Sequence, residues 1–439
     1  MYLKSKIKSI KKSELLKVSS WASISTGIRI ATQFITAKVL AVMLGPSGVA
    51  VLGQLTNLMG VAMVLSTGAI CVGVTKYVAE YYYDREKQLL VIQNAMGLIA
   101  ICSVLISAVL ILTAPLLSRT LFGDTSHSAV IALIGFTISL YAFHTLWLAI
   151  LNGYTDVKKY VVLNIITSVV GLLLTITLVY FFNIKGAMIA YILGQSVVCI
   201  FTYLLIRKES WWKGQLKFRF HFEVIKPLLG FTLMTLTASL MLPLGQILIR
   251  GFITKYGSLD SAGVWDGMNR ISANYLLLFT STISVYYLPK LASLRTAVDL
   301  WEEIKRAYKL ILPVLFVVSI LVYVFRYTII RVLFSNNFLI MEEMFGFQIA
   351  GDFMKISSWL MGYLMWAKGY VKEFIVTEVI FGITLVWTTY WGMDLYGLRG
   401  TAIAYCVNYI VYFGCILVLM RYKLNKLSNA QAVNGRQEA

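Results

Sequence analysis

An all-α protein with about twelve membrane-spanning helices is predicted by three observations. Hydrophobic residues make up 59% of the 439-residue chain and charged residues only 13%, against about 25% charged in a soluble domain. Mean hydropathy is +0.77. The apolar residues gather into long stretches of roughly 20 residues, the length a helix needs to cross a bilayer.

Taken in order, the stretches run 21–44, 49–75, 89–115, 128–152, 161–183 and 185–206, then 227–253, 265–288, 310–334, 343–367, 373–393 and 397–420. Six precede and six follow the longest connection, 207–226, which carries Trp211 and Trp212. The chain thus divides into a basic tail (1–20), a first six-helix bundle (21–206), a linker (207–226), a second bundle (227–420) and a C-terminal tail (421–439). Gly45-Pro46-Ser47-Gly48 is a tight turn between the first two spans. The first span is too long for a signal-peptide core and stays in the chain. Leu3, Ile7 and Ile10 share one face among Lys4, Lys6, Lys8 and Lys11, the pattern of an interfacial helix on anionic lipid; a flexible basic tail reads equally well.

Orientation follows from Lys and Arg placement. With both ends cytoplasmic, inner segments hold 28 of these residues and outer loops four, Arg119, Lys185, Lys255 and Arg399. The net charge of +19 is therefore read as a topology signal. Basic residues scattered between apolar spans form no single nucleic-acid-binding face.

A short echo links the halves. Gly48-Val49 and Gly53 match Gly263-Val264 and Gly267, and Lys76 matches Lys290 at the inner end of the second helix of each half. Six helices per half make this a parallel repeat about an axis along the membrane normal, with a cleft expected between the bundles.

Seven cations fall within apolar stretches: Arg29, Lys38, Arg250, Arg270, Arg326, Arg331 and Lys355. Three acids share that depth, Asp266, Asp352 and Glu378. A charge at bilayer depth costs about 2.5–3.5 kcal/mol on insertion scales, so such residues usually face a wet cavity. An excess of cations points to an anionic ligand. Arg29 and Arg250, on the first helix of each half, are read as facing the cleft, with Lys38, Lys76, Arg270 and Lys290 completing the anion-binding set. Snorkelling to an interface is the alternative for Lys38, Arg326 and Arg331. Asp266 with Arg270 at i, i+4, and Asp352 with Lys355 at i, i+3, can each form a neutral pair. The sharper reading makes Asp266, Asp352, Lys355 and Glu378 coupling or gating groups that respond to H+ or Na+. Glu378 has no local partner.

Cys71, Cys102, Cys199, Cys406 and Cys415 form no CxxC, and His127, His144 and His221 show no ligand spacing, so no metal site and no cofactor are read. The chain carries no dinucleotide fingerprint, Walker loop or nucleophile elbow, and no catalytic residue is assigned.

Several motifs carry a family resemblance. They are Gly73-Val74-Thr75-Lys76-Tyr77-Val78-Ala79-Glu80-Tyr81, the run FTLM at 231–234, Gly263-Val264-Trp265-Asp266-Gly267, SVYYLP at 284–289, Ser335-Asn336-Asn337-Phe338, and Gly351-Asp352 with Lys355. Gly362-Tyr363-Leu364 with Ala367-Lys368 extends them. The sequence resembles Wzx-type flippases of O-antigen and other lipid-linked oligosaccharides, near the branch serving enterobacterial common antigen, within the MATE-like MOP exporter superfamily. The resemblance implies two six-helix bundles in the bacterial inner membrane. It implies movement of an undecaprenyl-diphosphate-linked oligosaccharide to the outer leaflet, with cationic residues meeting the diphosphate. Implied partners are that glycolipid, membrane lipids, and glycan polymerase and chain-length regulator proteins, and no nucleic acid. Asp266 stands where relatives carry Gln, and Arg270 where a neutral residue is usual. The rival readings are a multidrug exporter of organic cations, which calls for an anionic cavity, and a membrane glycan polymerase or ligase, which calls for a sizeable outer loop.

Overall fold

The structure, a computed structural model, describes residues 12–209, 211–212 and 222–437. Residues 1–11 of the basic tail with the expected interfacial helix, His221 and half of the 207–226 linker lie outside the described residues.

The described residues form helices joined by short turns. They are α1 (Lys12–Ser66), α2 (Cys71–Glu80), α3 (Arg85–Phe122), α4 (Ser128–Gly153), α5 (Val157–Ser196) and α6 (Val198–Ile206). After the linker come α7 (Phe222–Tyr256), α8 (Leu259–Thr282), α9 (Leu288–Ser293), α10 (Ala297–Val324), α11 (Arg326–Leu333), α12 (Glu342–Lys368) and α13 (Val371–Gln437). A π-helical turn, Ile283–Tyr287, joins α8 to α9, and a 3-10 turn, Asn336–Met341, leads into α12.

Three helices fold back at a single residue. Gly45 (φ 67°, ψ −172°) breaks α1, Asn183 (φ 49°, ψ −129°) breaks α5 and Gly397 (φ 58°, ψ −146°) breaks α13. Positive φ is open to glycine without a Cβ clash and tolerated by Asn, so each sequence position fits its break. The breaks fall at or between the facing ends of the span pairs expected at 21–44/49–75, 161–183/185–206 and 373–393/397–420. Among the described residues, seven helices are long and apolar enough to cross a membrane, and three of these are the folded hairpins. α8 and α12 are 24 and 27 residues long and carry the polar residues that lower their hydropathy. With them, twelve crossing segments are present among the described residues.

Side chains at the turns cap the helices. Asp84 accepts from Lys87 N at 3.1 Å to start α3, and Asp156 from Lys159 N at 3.2 Å to start α5. Ser258 accepts from Ser261 N at 3.0 Å to start α8, and Thr296 from Asp299 N at 3.1 Å to start α10. Each satisfies a backbone donor that the first helical turn cannot.

The ninth span departs from its expected position. α10 begins at Ala297 and ends at Val324, followed by the separate short helix α11. Its first turns are amphipathic, with Leu300, Glu303, Ile304 and Ala307 buried at helical spacing, so an apolar window starting at 310 misses them.

The helices group into two compact units. Unit 1 comprises the described residues of Met1–Leu44 and Gln54–Pro243; unit 2 comprises those of Gly45–Gly53 and Leu244–Ala439. In unit 1, α3 packs on α4, and α4 on α2 and α5. Thr75 Oγ1 donates to Ala149 O at 3.0 Å, and a Cβ on Gly153 would meet Val78 Cβ at 2.8 Å, so α2 and α4 lie nearly backbone to backbone. Trp211 is buried and stacks on Tyr154 at 6.0 Å, and Trp212 meets Trp147 edge-on at 5.3 Å. These tryptophans are packing residues of unit 1. In unit 2, α12 packs on α13 and α10.

Candidate functional site

Unit 1 holds Arg29, Lys38 and Lys76. Arg29 lies in the apolar span 24–66, and its Nε is buried with no hydrogen-bond partner. A buried donor of a charged group left unpaired costs upwards of about 1–3 kcal/mol, a cost a ligand acceptor would remove. Lys38, half-buried on the same helix, interacts with neighbouring groups. Lys76 on α2 is exposed, with Nζ 4.8 Å from the Tyr77 ring centroid.

Unit 2 holds the remaining candidates. Arg250 on α7 is 3% exposed and Asp266 on α8 is 5% exposed. Arg250 Nε donates to Asp266 Oδ2 at 2.7 Å and Nη2 to Oδ1 at 2.5 Å, a two-pronged pair that satisfies both carboxylate oxygens. The guanidinium also sits 5.7 Å from the Trp265 ring. Gly53 lies against this pair: a Cβ there would strike the Asp266 carboxylate and come within 2.8 Å of Arg250 Nη2. The Gly263 of the repeat motif likewise abuts the Pro46 backbone, and a Cβ on Gly267 would meet Met341 Cε at 2.7 Å. The echoed glycines are therefore places of close approach.

This geometry corrects two expectations. Arg250 does not stand free to receive an anion, because Asp266 neutralises it. Asp266 has Arg250 rather than Arg270 across its carboxylate; Arg270 is half-buried and interacts elsewhere. Periodicity can pair residues only along one helix, and here the partner comes from the preceding one. Lys290, on α9, is half-buried.

Asp352, Lys355 and Glu378 converge with tyrosines that the sequence reading passed over. Asp352 is fully buried; Tyr275 Oη donates to its Oδ2 at 2.6 Å and Tyr405 Oη to its Oδ1 at 2.8 Å. The expected Asp352–Lys355 ion pair does not form. Lys355 Nζ instead faces the rings of Trp359 at 5.2 Å, Tyr409 at 5.6 Å and Tyr405 at 6.0 Å. Glu378 does have a partner, since Tyr412 Oη donates to its Oε1 at 3.0 Å. Tyr405, Tyr409 and Tyr412 are spaced i, i+4, i+7, one face of a helix, and that spacing was the available signal.

Arg326 and Arg331 fall on the separate short helix α11. Both lie beyond the end of the 297–324 span. Arg326 donates from Nη2 to Glu342 Oε1 at 3.0 Å and from Nη1 to Tyr323 O at 3.0 Å, and Arg331 is exposed. Asp156 caps α5 and pairs with Lys159 Nζ at 2.5 Å. In the apolar interior of unit 1, His144 Nδ1 lies 2.7 Å from Thr202 Oγ1, a polar packing contact.

A family described as "Polysaccharide biosynthesis protein" matches residues 15–295. A protein of Escherichia coli (strain K12) named Lipid III flippase is 31% identical over 400 residues, covering 91% of this chain and 96% of that protein. This chain belongs to the polysaccharide biosynthesis protein family. The motif resemblance at 73–81 and 263–267 is thus upheld. A Lipid III flippase of Shigella flexneri matches equally, at 31% over 400 residues. Among solved structures, an inward-facing multidrug resistance MATE transporter of the MOP superfamily matches with TM-score 0.78 at 15% identity, over 91% of this chain and 96% of that one. A MOP superfamily transporter from Pyrococcus furiosus, described as having a binding pocket of reversed polarity, matches with TM-score 0.70 at 15% identity, over 94% and 96%. The family member thus has the MATE-type fold and is a multi-pass membrane protein.

Proposed function

We propose that this chain is a flippase moving an undecaprenyl-diphosphate-linked oligosaccharide from the cytoplasmic to the periplasmic leaflet of the bacterial inner membrane by alternating access. The observation that carries this reading is the 31% identity to a Lipid III flippase across 96% of that protein. The Lys and Arg asymmetry supports a cytoplasmic location for both termini, and it persists at 28 to six when Arg326 and Arg331 join the outer count. A glycan polymerase and a chain-length regulator are the expected partners downstream.

The buried charges support an anionic cargo. Arg29, Lys38, Arg250, Arg270 and Lys355 remain within the spans, and Asp266 offsets Arg250. Arg29 is the strongest diphosphate contact of the set, because its Nε is buried without an acceptor and a planar guanidinium matches phosphate oxygens in two-pronged fashion. Lys38, Lys76, Arg270 and Lys290 serve as point or rim charges along the head-group path. Asp352, Lys355 and Glu378 form the gating cluster.

The test is deletion in the native host and complementation with variants. Deletion should accumulate the lipid-linked glycan on the cytoplasmic leaflet. Arg29→Ala should reduce surface glycan about tenfold or more at unchanged protein level, the worth of one charge-assisted contact. Arg29→Lys should be milder. Normal surface glycan with Arg29→Ala would remove Arg29 from the site, and no accumulation on deletion would remove the flippase reading.

A further inference from the structure

The gating cluster of unit 2 contains two carboxyl groups and one ammonium, and its polar groups are arranged unlike a metal site. Both oxygens of fully buried Asp352 already accept phenol hydroxyls, from Tyr275 and Tyr405. Glu378 accepts the hydroxyl of Tyr412. These hydroxyl hydrogens point at the carboxylates, whereas an alkali or alkaline-earth cation needs six or so oxygen lone pairs directed at it. Among the described residues, no three of His, Cys, Asp and Glu gather as a metal site.

Lys355 supplies the positive charge. It lies one helical turn after Asp352, and the rings it faces belong to the tyrosine face that serves both carboxylates, since Tyr405 donates to Asp352 and Tyr412, next to Tyr409, donates to Glu378. Lys355 is faced by three aromatic rings at 5.2–6.0 Å. Aromatic faces stabilise an ammonium by their quadrupole, most strongly when water is excluded. Tyr405 and Tyr409 touch with ring centroids 4.8 Å apart, and Tyr409 and Tyr412 lie 6.2 Å apart, so the wall behind the ammonium is continuous. We propose that Lys355 is a tethered cation: with one proton held between the Asp352 and Glu378 carboxyl groups, its ammonium balances the one remaining negative charge in place of an inorganic ion, so this cluster takes up no Na+ or K+.

This goes beyond the flippase reading, and its test needs no glycan, so either can fail without the other. The full chain is purified in detergent, and its unfolding temperature is measured in NaCl, KCl and choline chloride at matched ionic strength. For the unaltered protein the three values should agree within about 1 °C; a saturable rise in NaCl or KCl would overturn the proposal. Lys355→Met leaves the carboxylates without a counter-charge. It should unfold at lower temperature in choline chloride and recover by about 2 °C or more as NaCl or KCl saturates. A folded Lys355→Met with no alkali-metal response would overturn it. Lys355→Arg keeps the charge and should respond to neither salt; a response would count against the proposal. Should Lys355→Met yield no folded protein, Asp352→Asn in the same chain should restore folded yield, and a failure to do so would overturn the proposal.

Discussion

Arg250 and Asp266 are 16 residues apart in sequence and form a fully buried two-pronged pair. Removing one member of such a pair strands the other charge in a low-dielectric interior, at about 3–5 kcal/mol. Arg250→Ala and Asp266→Ala should each lower folded yield and unfolding temperature. The combined exchange Arg250→Asp with Asp266→Arg should recover much of the loss, because the pair survives with its polarity inverted. An anion-binding arginine would not be rescued this way, so surface glycan in the exchanged chain separates the two roles. Gly53→Ala should destabilise by about 1–3 kcal/mol, since its methyl group meets both partners of the pair; thermal unfolding checks it. The sequence made the residue types and their depth legible. It did not make this pairing legible, because Arg270 is the nearest cation along the helix and Arg250 reaches Asp266 only through tertiary packing. The Tyr405–Tyr409–Tyr412 face was written in plain helical spacing and went unread because hydroxyls carry no charge to draw attention.

At the level of helices, the chain announces its turns well. Gly45-Pro46 read as a turn, and the breaks at Asn183 and Gly397 fall at or between the ends of neighbouring apolar stretches. What an apolar scan could not see was α10 beginning at Ala297, since a half-buried amphipathic turn averages to a polar segment. Caps give two tests. Ser258→Ala removes the acceptor for Ser261 N and should cost about 1 kcal/mol, read as a lower unfolding temperature. At the start of α3, the Lys87 side chain, then the Lys87 backbone N–H, hold the Asp84 carboxyl below the usual carboxylate range. A depressed carboxyl adds stability above its unfolded value and loses it as pH falls through the folded one. The Asp84→Asn variant should therefore differ from the unaltered chain at neutral pH, and the difference should shrink below about pH 4; unfolding temperature against pH reads it.

For the molecule as a whole, composition carried the class, and the motifs carried the family. The fold of MATE-type transporters is shared with multidrug exporters, so fold alone leaves the cargo open. The charge inventory separates the possibilities. Within the spans the cations still outnumber Asp266, Asp352 and Glu378 after pairing, which disfavours an organic cation as passenger. Expression in an efflux-deficient host should leave susceptibility to cationic drugs unchanged, while the same plasmid restores surface glycan to the deletion strain. Drug resistance without glycan rescue would reverse the assignment. The hairpins have a practical corollary. A chain that reverses on one residue at Gly45, Asn183 and Gly397 leaves no slack for an antibody, a phage or a fused reporter to grip there, so epitope tags spliced at these corners should jam the helices apart, whereas single cysteines for labelling belong in longer connections such as 123–127.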